Sequence, residues 1–265
     1  MFVDCHRLVI RNYNFNDNRI KNNIKLVLLT DLHDKTFGKN NMRLVQYIDG
    51  INPDLIVIAG DMYTAFKDNK AIQAKNLMKI LSQKYNIYYA NGNHELKTQT
   101  RADEFGPVYS EYIDYLNKCN ICHLDNKCIQ LDEYNVNIYG LNLPFDYYKK
   151  FIDIELRTED LEKYLGKASK DKVNILLAHN PEYFKSYVSW GADLVLSGHY
   201  HGGLMRLPFL GGVISPRYKL FPEYDFGEYE EAGSKMILSC GLGTHTLPIR
   251  IFNPGEISVI DINSK

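Results

Sequence analysis

The chain has 265 residues and a formal net charge of -1, and 45% of its residues are hydrophobic while 24% are charged. This length is ample for a sizeable core, and the composition excludes a disordered chain and a strongly basic surface for nucleic acid. The apolar runs are as long as strands and fall far below the roughly 18 residues that a membrane helix needs. We therefore expect one domain over residues 1–265, no membrane span and no nucleic-acid partner.

The five cysteines are an odd number without regular spacing, which is typical of free thiols in a reducing compartment. The amino terminus lacks the charged and then apolar layout of a secretory signal, so a cytoplasmic location is expected. Cys119 and Cys122 form a CxxC pair, but no second pair accompanies them. Buried, inert cysteine is therefore favoured over a metal site there.

Short runs rich in leucine and β-branched residues predict buried strands, the clearest at residues 25–30, 55–59, 87–90, 173–178 and 194–197. Segments with helical spacing or an acidic first turn alternate with them, at residues 42–51, 71–83, 109–118, 158–165 and 182–189. Such alternation predicts layered α/β packing.

The carboxyl half adds predicted strands at residues 128–131, 136–139, 236–239, 249–252 and 257–260. This richness in strands favours two sheets that face each other between helical layers. Residues 202–233 hold glycine pairs, prolines and many aromatics with little periodicity. We interpret them as a long ordered loop region over the site.

Residue types that bind metals follow each of the five clearest strands. Open α/β sheets bind ligands at the edge where their strands end. The blocks hold five of the eight histidines, and the other three, at positions 6, 123 and 245, are interpreted as structural. In chain order the blocks are Asp31-Leu32-His33, Gly60-Asp61, Gly92-Asn93-His94-Glu95, His179 and Gly198-His199-Tyr200-His201.

These residue types suit a pair of metal ions that promotes phosphoester hydrolysis. Two cations about 3.5–4 Å apart generate hydroxide near neutral pH and neutralise the charge that grows on phosphorus. Asp61 is the candidate bridge between them, because its carboxylate comes directly after a strand and a glycine. Asp31 and His33 have the alternate spacing that places two side chains on one side of an extended segment. The remaining candidate ligands are Asn93, His179, His199 and His201.

In this order the blocks resemble the signature DxH, GD, GNHE, H and GHxH of the calcineurin-like metallophosphoesterase superfamily. Later motifs resemble the bacterial subgroup of small phosphodiesterases related to lipid A precursor (UDP-2,3-diacylglucosamine) pyrophosphatases. They are Gly202-Gly203, Leu207-Pro208, Gly241-Leu242-Gly243-Thr244, Pro248-Ile249-Arg250 and Pro254-Gly255-Glu256-Ile257. The resemblance implies an α/β fold, a four-layer sandwich of two facing mixed β-sheets flanked by helices. It also implies that His94 is free for catalysis while two metal ions are held by Asp31, His33, Asp61 and His201, and by Asp61, Asn93, His179 and His199.

Chemistry and resemblance together predict a dinuclear metal-dependent phosphoester hydrolase. A metal-bridging hydroxide would attack phosphorus while His94 or water protonates the leaving oxygen. A phosphodiester is the preferred substrate class, and the alternatives are a phosphomonoesterase or pyrophosphatase with the same site, or a non-catalytic metal-binding scaffold. Nitrogen and oxygen ligands suit divalent or trivalent manganese, iron, zinc or nickel, and we expect manganese to support activity.

Four further residues have two interpretations each. Tyr200 narrows the pocket or donates a hydrogen bond to a phosphate oxygen. Arg250 binds a phosphate oxygen in a fork or pairs with a surface carboxylate. Asp34 orients His33 or caps a turn, and Glu95 supports the ligands from behind or starts a helix.

Overall fold

The computed structural model describes residues 3–149, 154–202, 206–207, 211–212, 223–244, 250 and 252–265, with only the backbone at residues 206–207 and 211–212. The strands are β1 (Leu8–Asn16), β2 (Ile24–Leu29), β3 (Leu55–Ala59), β4 (Asn86–Ala90), β5 (Cys122–His123), β6 (Lys127–Leu131), β7 (Val136–Leu141), β8 (Val173–Ala178), β9 (Leu194–Ser197), β10 (Arg206–Leu207), β11 (Gly211–Gly212), β12 (Gly227–Glu231), β13 (Ser234–Leu238) and β14 (Gly255–Asn263).

The α-helices are α1 (Met42–Ile51), α2 (Ile72–Ser82), α3 (Asn93–Thr100), α4 (Ala102–Phe105), α5 (Val108–Lys118), α6 (Thr158–Leu165) and α7 (Phe184–Trp190). Short 3-10 turns cover Val3–His6, Lys39–Asn41, Phe145–Tyr148 and Pro181–Tyr183.

Two mixed sheets of six strands form the centre of the fold. The first has the order β1-β14-β2-β3-β4-β5, in which only the β14–β2 pair is antiparallel. The second has the order β12-β13-β9-β8-β7-β6, with antiparallel pairs at its two edges. The parallel strands β2, β3, β4, β8 and β9 therefore bring their carboxyl ends to common sheet edges, where open α/β sheets bind ligands.

Three apolar layers hold the sheets and helices together, as alternating side chains of a buried strand require. Along β2, Leu26 and Leu28 pack between the two sheets, whereas Val27 and Leu29 pack on the other face against α1, α2 and α5. A third cluster joins the outer face of the second sheet to α6 and α7. The predicted four-layer sandwich, with two facing sheets between helices, is confirmed.

Some predicted elements are wrong. The charged segment Gly227–Glu231, interpreted as loop, is an edge strand paired with β13, and within residues 202–233 β10 pairs with β11. Residues 203–205, 208–210 and 213–222 lie outside the described residues, so the placement of this region over the site stays a prediction. The strand predicted at residues 249–252 is absent at Arg250 and Phe252, which lie in a loop and a bend, while 249 and 251 lie outside the described residues.

Among the described residues, no helix combines the length and apolar character needed to cross a membrane. All five cysteines lie in described parts of the chain, and none of them forms a disulfide there. Cys122 lies in the short strand β5, and both it and Cys119 are half-buried rather than buried as expected. The single domain over residues 1–265 stays a prediction.

Candidate metal centre

The five sequence blocks meet at one place, because each begins where a parallel strand ends. Asp31 lies two residues beyond β2, and Asp61 lies two residues beyond β3. His179 directly follows β8, and the segment from His199 to His201 follows β9. Asn93 is the first residue of α3, which begins shortly after β4. Strand ends from both sheets therefore supply the candidate ligands.

Asp31, His33 and His201 form the first compact group of ligand atoms, all within 4.8 Å of one another. His201 Nε2 lies 3.3 Å from Asp31 Oδ1 and 3.2 Å from His33 Nε2. The second Asp31 oxygen accepts hydrogen bonds from Thr30 Oγ1 at 2.8 Å and from the His199 amide at 3.0 Å. One carboxylate oxygen is thus held by the protein while the other faces the ring nitrogens.

Asp61, His179 and His199 form the second group, again within 4.8 Å. His179 Nε2 lies 3.1 Å from Asp61 Oδ2 and 3.1 Å from Asn93 Oδ1. Its other nitrogen, Nδ1, donates to the Ala59 carbonyl at 2.6 Å, so the lone pair of the neutral ring is on Nε2. Asp61 Oδ2 also lies 3.9 Å from His33 Nε2, which places this carboxylate between the two groups.

The charges of these groups are strongly coupled. Burial opposes the charge of Asp61, but His179, His94 and His33 outweigh burial and hold the pKa of this carboxyl well below its usual range. Burial likewise opposes the charge of His179, but Asp61 and Asp31 raise the pKa of its ring to about 10. The carboxylates that retain a proton on this ring would equally attract a metal cation in its place.

The backbone at the ligands is strained. Positive φ angles, which are uncommon for residues other than glycine, occur at five of the seven candidate ligands. Each such residue costs on the order of 1–3 kcal/mol and persists only where the surrounding structure imposes it. The five are Asp31 (52°), His33 (49°), Asp61 (54°), His199 (73°) and His201 (52°).

The close approach of the two sheets also limits which residues can follow the strands. Gly198 precedes His199 in the segment that leaves β9, and a Cβ there would overlap Thr30 Oγ1 and Asp31 Oδ2. A glycine at this position therefore lets the histidine segment of the second sheet approach Asp31 of the first.

His94 differs from the other histidines at the centre. Its Nδ1 accepts a hydrogen bond from the Ala65 amide at 2.8 Å, so in the neutral ring the hydrogen is on Nε2. That Nε2 lies 4.0 Å from Asp61 Oδ2. His94 also falls within ligand distance of His33 and Asp61, but a protonated Nε2 is a hydrogen-bond donor rather than a metal ligand.

Glu95 ties the ends of β3 and β4 together. Its buried carboxylate accepts hydrogen bonds from the amides of Asp61 at 2.9 Å, Met62 at 2.9 Å and Gly92 at 3.0 Å, and from the hydroxyl of Tyr89 at 2.7 Å. Burial, followed by the charge of Asp61, raises the pKa of Glu95 to about 7. Both interpretations of Glu95 agree with this geometry, since it stands in the first turn of α3 and supports Asp61 from behind.

The geometry does not support a phosphate contact at either of the two predicted substrate-binding residues. Arg250 is buried, and its guanidinium donates only to backbone carbonyls in the described part of the chain. This geometry supports neither interpretation of Arg250, a fork on a phosphate oxygen or a surface ion pair. Tyr200 is buried in the apolar cluster beside α7, and its hydroxyl donates to Glu182 at 2.5 Å, so its geometry does not support a contact with phosphate.

Asp34 caps a turn rather than contacting the His33 ring. Its Oδ2 accepts from the Thr64 amide at 3.1 Å and from Asn69 Nδ2 at 2.7 Å. Thr64 Oγ1 in turn lies 3.3 Å from His33 Nδ1, so Asp34 acts on that ring through the turn.

Sequence reasoning missed several residues that hold the ligands in place. Thr30 and Thr64 contact them directly, and the Ala65 amide fixes the tautomer of His94, as described above. Tyr148 packs its ring 5.6 Å from that of His199 and 6.2 Å from that of His179. No periodicity marks these positions. A threonine or glycine next to a strand-terminal ligand is the one local signal that was present.

The donor set fits divalent transition-metal ions. Two groups of buried imidazole nitrogens and carboxylate oxygens share the region around Asp61, and Asn93 adds a neutral oxygen beside the second group. Nitrogen and oxygen donors in such groups suit manganese, iron, zinc and nickel. Where a histidine donates its other nitrogen to a carbonyl, as His179 does, the ring is already oriented for a metal.

Comparison with known proteins agrees with this geometry. The calcineurin-like phosphoesterase family matches residues 24–203, a range that contains all seven candidate ligands. The chain belongs to this family. It is 29% identical over 255 residues to a metallophosphoesterase of Helicobacter pylori strain J99, covering 93% of this chain and 62% of that protein. A metallophosphoesterase of Campylobacter jejuni is 31% identical over 250 residues, covering 93% of this chain and 61% of that protein.

Among solved structures, a phosphopantetheinyl hydrolase from Mycobacterium tuberculosis aligns with a TM-score of 0.49 and 14% identity, covering 83% of this chain and 89% of that one. The chain spans about three fifths of the length of the two bacterial relatives. Family membership identifies a metallophosphoesterase domain and a metal-binding site. The resemblance to the subgroup related to lipid A precursor pyrophosphatases stays a prediction.

Proposed function

We propose that this protein is a dinuclear metal-dependent phosphodiesterase. The observation that carries the proposal is the position of Asp61, whose Oδ2 lies 3.1 Å from His179 Nε2 of one ligand group and 3.9 Å from His33 Nε2 of the other. A carboxylate between two sets of nitrogen donors suits a bridge between two cations. The family membership described above supports the same reading.

Asp31, His33 and His201 would hold one ion together with Asp61, and we call them the first ligand group. Asn93, His179 and His199 would hold the other ion together with Asp61, and we call them the second ligand group. When bound, the two ions would supply a nucleophile near neutral pH and neutralise negative charge at phosphorus. We favour manganese among the ions that this donor set accepts.

His94 would act on the substrate itself. The Ala65 amide donates to Nδ1 and so fixes the hydrogen of the neutral ring on Nε2. This Nε2 lies 4.0 Å from Asp61 Oδ2. A donor held in this way can stabilise charge on a phosphoryl oxygen or protonate the leaving oxygen, and such donors are typically worth about 10²–10³ in rate.

The preference for a diester rests on charge. A phosphodiester carries one negative charge and a phosphomonoester carries up to two, so a monoester site gains more from an added cationic side chain. Arg250, the arginine that the sequence offered as a phosphate ligand, is committed to backbone carbonyls. The phosphomonoesterase and pyrophosphatase alternatives are for this reason less favoured.

A non-catalytic scaffold is the rival from another class. Loss of catalysis on such a fold is expected to leave gaps in the ligand set, whereas here all seven candidate positions carry ligand residues that converge. The Nε2 hydrogen of His94 is also oriented as catalysis requires, which a scaffold has no reason to maintain.

The proposal is tested by the hydrolysis of bis-p-nitrophenyl phosphate and p-nitrophenyl phosphate on metal-stripped protein reconstituted with Mn²⁺. We expect metal-dependent cleavage with the diester faster than the monoester. A faster monoester would favour the phosphomonoesterase alternative. Hydrolysis of neither compound by protein that retains two metal equivalents would favour the scaffold.

We further propose a small phosphoester as substrate, no nucleic-acid partner and a cytoplasmic location. The near-neutral charge and the cysteines that form no disulfide in the described chain support this. Cell fractionation with an antibody to the native protein checks the location, and recovery with the membrane fraction would contradict it.

A further inference from the structure

Arg250 is a buried cation with an unusual set of partners. The residue is 4% exposed, and its guanidinium makes six hydrogen bonds to five backbone carbonyls. Nε donates to Gly243 at 2.9 Å, and Nη2 donates to Cys240 at 2.8 Å, to Gly241 at 3.2 Å and to Gly243. Nη1 donates to Asn253 and Pro254, both at 3.2 Å. The five donors of an arginine fork suit such a cluster, whereas a lysine offers only three from one point.

The carbonyls that Arg250 binds belong to two segments, residues 240–243 and residues 253–254. The first segment lies against Asp31. The Gly243 amide donates to the Asp31 carbonyl at 2.6 Å, and the Leu242 amide donates to the Thr30 carbonyl at 3.1 Å. A Cβ on Gly241, which has a φ of +67°, would stand 2.6 Å from the Cβ of Asp31. A shift of this segment would therefore move the strained backbone of Asp31 directly.

The second segment holds His201. Asn253 Nδ2 donates to the His201 carbonyl at 2.5 Å, and the Asn253 amide donates to Asp4 Oδ2 at 3.2 Å. Arg250 binds the carbonyl of the same asparagine. One guanidinium thus links the backbone that touches Asp31 to the side chain that holds His201.

The second ligand group is held differently. His179 Nδ1 donates to the Ala59 carbonyl at the end of β3, and the Asp61 amide donates to Glu95. None of these supports belongs to the segments that Arg250 binds. His179 and the shared Asp61 therefore have anchors outside those segments, while the His199 amide donates to Asp31 Oδ2 at 3.0 Å.

We propose that Arg250 is a positioning residue for one half of the metal centre, the first ligand group, and that it affects the affinity of that half far more than the affinity of the other. This inference rests on the proposed function. The family matches residues 24–203, and Arg250, Asn253 and the segment 240–243 all lie beyond that range. The carboxyl-terminal part of this chain therefore supplies the contacts that position the first ligand group.

The test is the number and affinity of Mn²⁺ ions bound by metal-stripped wild type and by Arg250→Met, measured by calorimetric titration and by metal analysis after dialysis. We expect wild type to bind two equivalents. We expect Arg250→Met to keep one at near wild-type affinity and to bind the other about ten- to hundredfold more weakly, the loss typical when a group that orients a metal ligand is removed. Arg250→Lys retains the charge without the fork. Its affinity for the weakened Mn²⁺ ion should fall between that of wild type and that of Arg250→Met.

Single-site backgrounds identify the half affected. In His179→Ala, the remaining ion depends on the first ligand group, and adding Arg250→Met should weaken its binding by about the same ten- to hundredfold. In His201→Ala, the remaining ion depends on the second ligand group, and adding Arg250→Met should change its affinity by less than about twofold, because His179 and Asp61 keep their own anchors. Equal loss from both backgrounds, or from neither, would overturn the inference.

Two further variants separate positioning from folding. Arg19→Met removes another partly buried arginine, bonded to Asp17, Asp193 and the Lys172 carbonyl, and should keep both equivalents. Asn253→Ala breaks the contact with His201 and should reproduce the selective loss even if Arg250→Met does not fold. If wild type binds no metal, the proposed function is contradicted. If wild type and Arg250→Met both bind two equivalents with the same affinity, only the role of Arg250 is contradicted.

Discussion

At His94, the ring nitrogen that faces the candidate ligands carries the hydrogen because the Ala65 amide occupies the other nitrogen. This contact makes His94 Nε2 a donor, whereas Nε2 of the neutral His179 ring carries the lone pair, because its Nδ1 donates to the Ala59 carbonyl. The sequence alone placed His94 among the blocks and, through the resemblance, outside the ligand set. It could not show the donor that fixes the tautomer, since a backbone amide leaves no signature in side-chain identity.

His94→Ala should retain two equivalents of Mn²⁺ and lose about 10²–10³ in kcat, because it removes a donor that acts on the reacting phosphoryl group. Metal analysis and steady-state hydrolysis of bis-p-nitrophenyl phosphate measure the two quantities. His123→Ala is the matched control, since His123 bonds to Asn91 at 2.9 Å and has no place in the ligand groups. Unchanged kcat in His94→Ala would remove this residue from the mechanism.

At the scale of elements, Glu95 connects the ends of two parallel strands to the helix that carries Asn93. Its carboxylate accepts hydrogen bonds from three backbone amides in the segments after β3 and β4, and from the Tyr89 hydroxyl. The sequence offered this helix only as one interpretation of Glu95, because α3 is polar along most of its length and lacks an apolar stripe. Its start is fixed by tertiary contacts rather than by its own periodicity.

Glu95→Gln should destabilise the fold by about 1–3 kcal/mol, because the NH2 group of the glutamine cannot accept hydrogen bonds from the backbone amides it would face and leaves those buried donors without partners. Urea unfolding of the metal-free protein measures the change. Glu111→Gln, at a side chain that is 57% exposed, is the control and should shift stability by less than about 0.5 kcal/mol. Equal stability of the two variants would contradict the bracing role of Glu95.

Elements with strong local patterns were predictable and those defined by distant partners were not. The apolar strands β3, β8 and β9 and the helices α1 and α6 have the predicted bounds. The edge strands β1 and β12 escaped prediction because polar residues fill much of both, and β1 is defined by pairing with β14 near the other end of the chain. The strand predicted at residues 249–252 is wrong at Arg250 and Phe252, and the Arg250 guanidinium instead donates to carbonyls of neighbouring loops.

At the scale of the whole molecule, the two sheets are joined at opposite edges by different chemistry. The candidate metal centre lies at the carboxyl ends of the parallel strands. At the other edge, Arg19 bonds Asp17 after β1, Asp193 before β9 and the carbonyl of Lys172 before β8. The order of layers followed from the sequence, but this clamp did not, because its members lie up to 176 positions apart without any local pattern.

Arg19→Met should lower the free energy of unfolding by about 1.5–3 kcal/mol near neutral pH, the range for hydrogen bonds to charged groups. The hydrogen bonds from Arg19 hold the pKa of Asp17 below its ordinary value of 3.8. The stabilisation is therefore complete above pH of about 4 and is lost as pH falls through the lowered pKa. Denaturant unfolding of wild type and variant across this range measures the difference, and a difference that grows toward acid would contradict the ion pair.

The most direct test compares the metal content of Asp61→Asn with that of wild type, because it decides whether a single carboxylate binds both ions. Asparagine tolerates the positive φ of this position and removes the charge, so a loss of metal is not a loss of backbone geometry. On metal-stripped protein dialysed against the same free Mn²⁺, we predict two equivalents in wild type and one or fewer in Asp61→Asn. Two full equivalents of unchanged affinity in the variant would contradict the dinuclear centre built around Asp61.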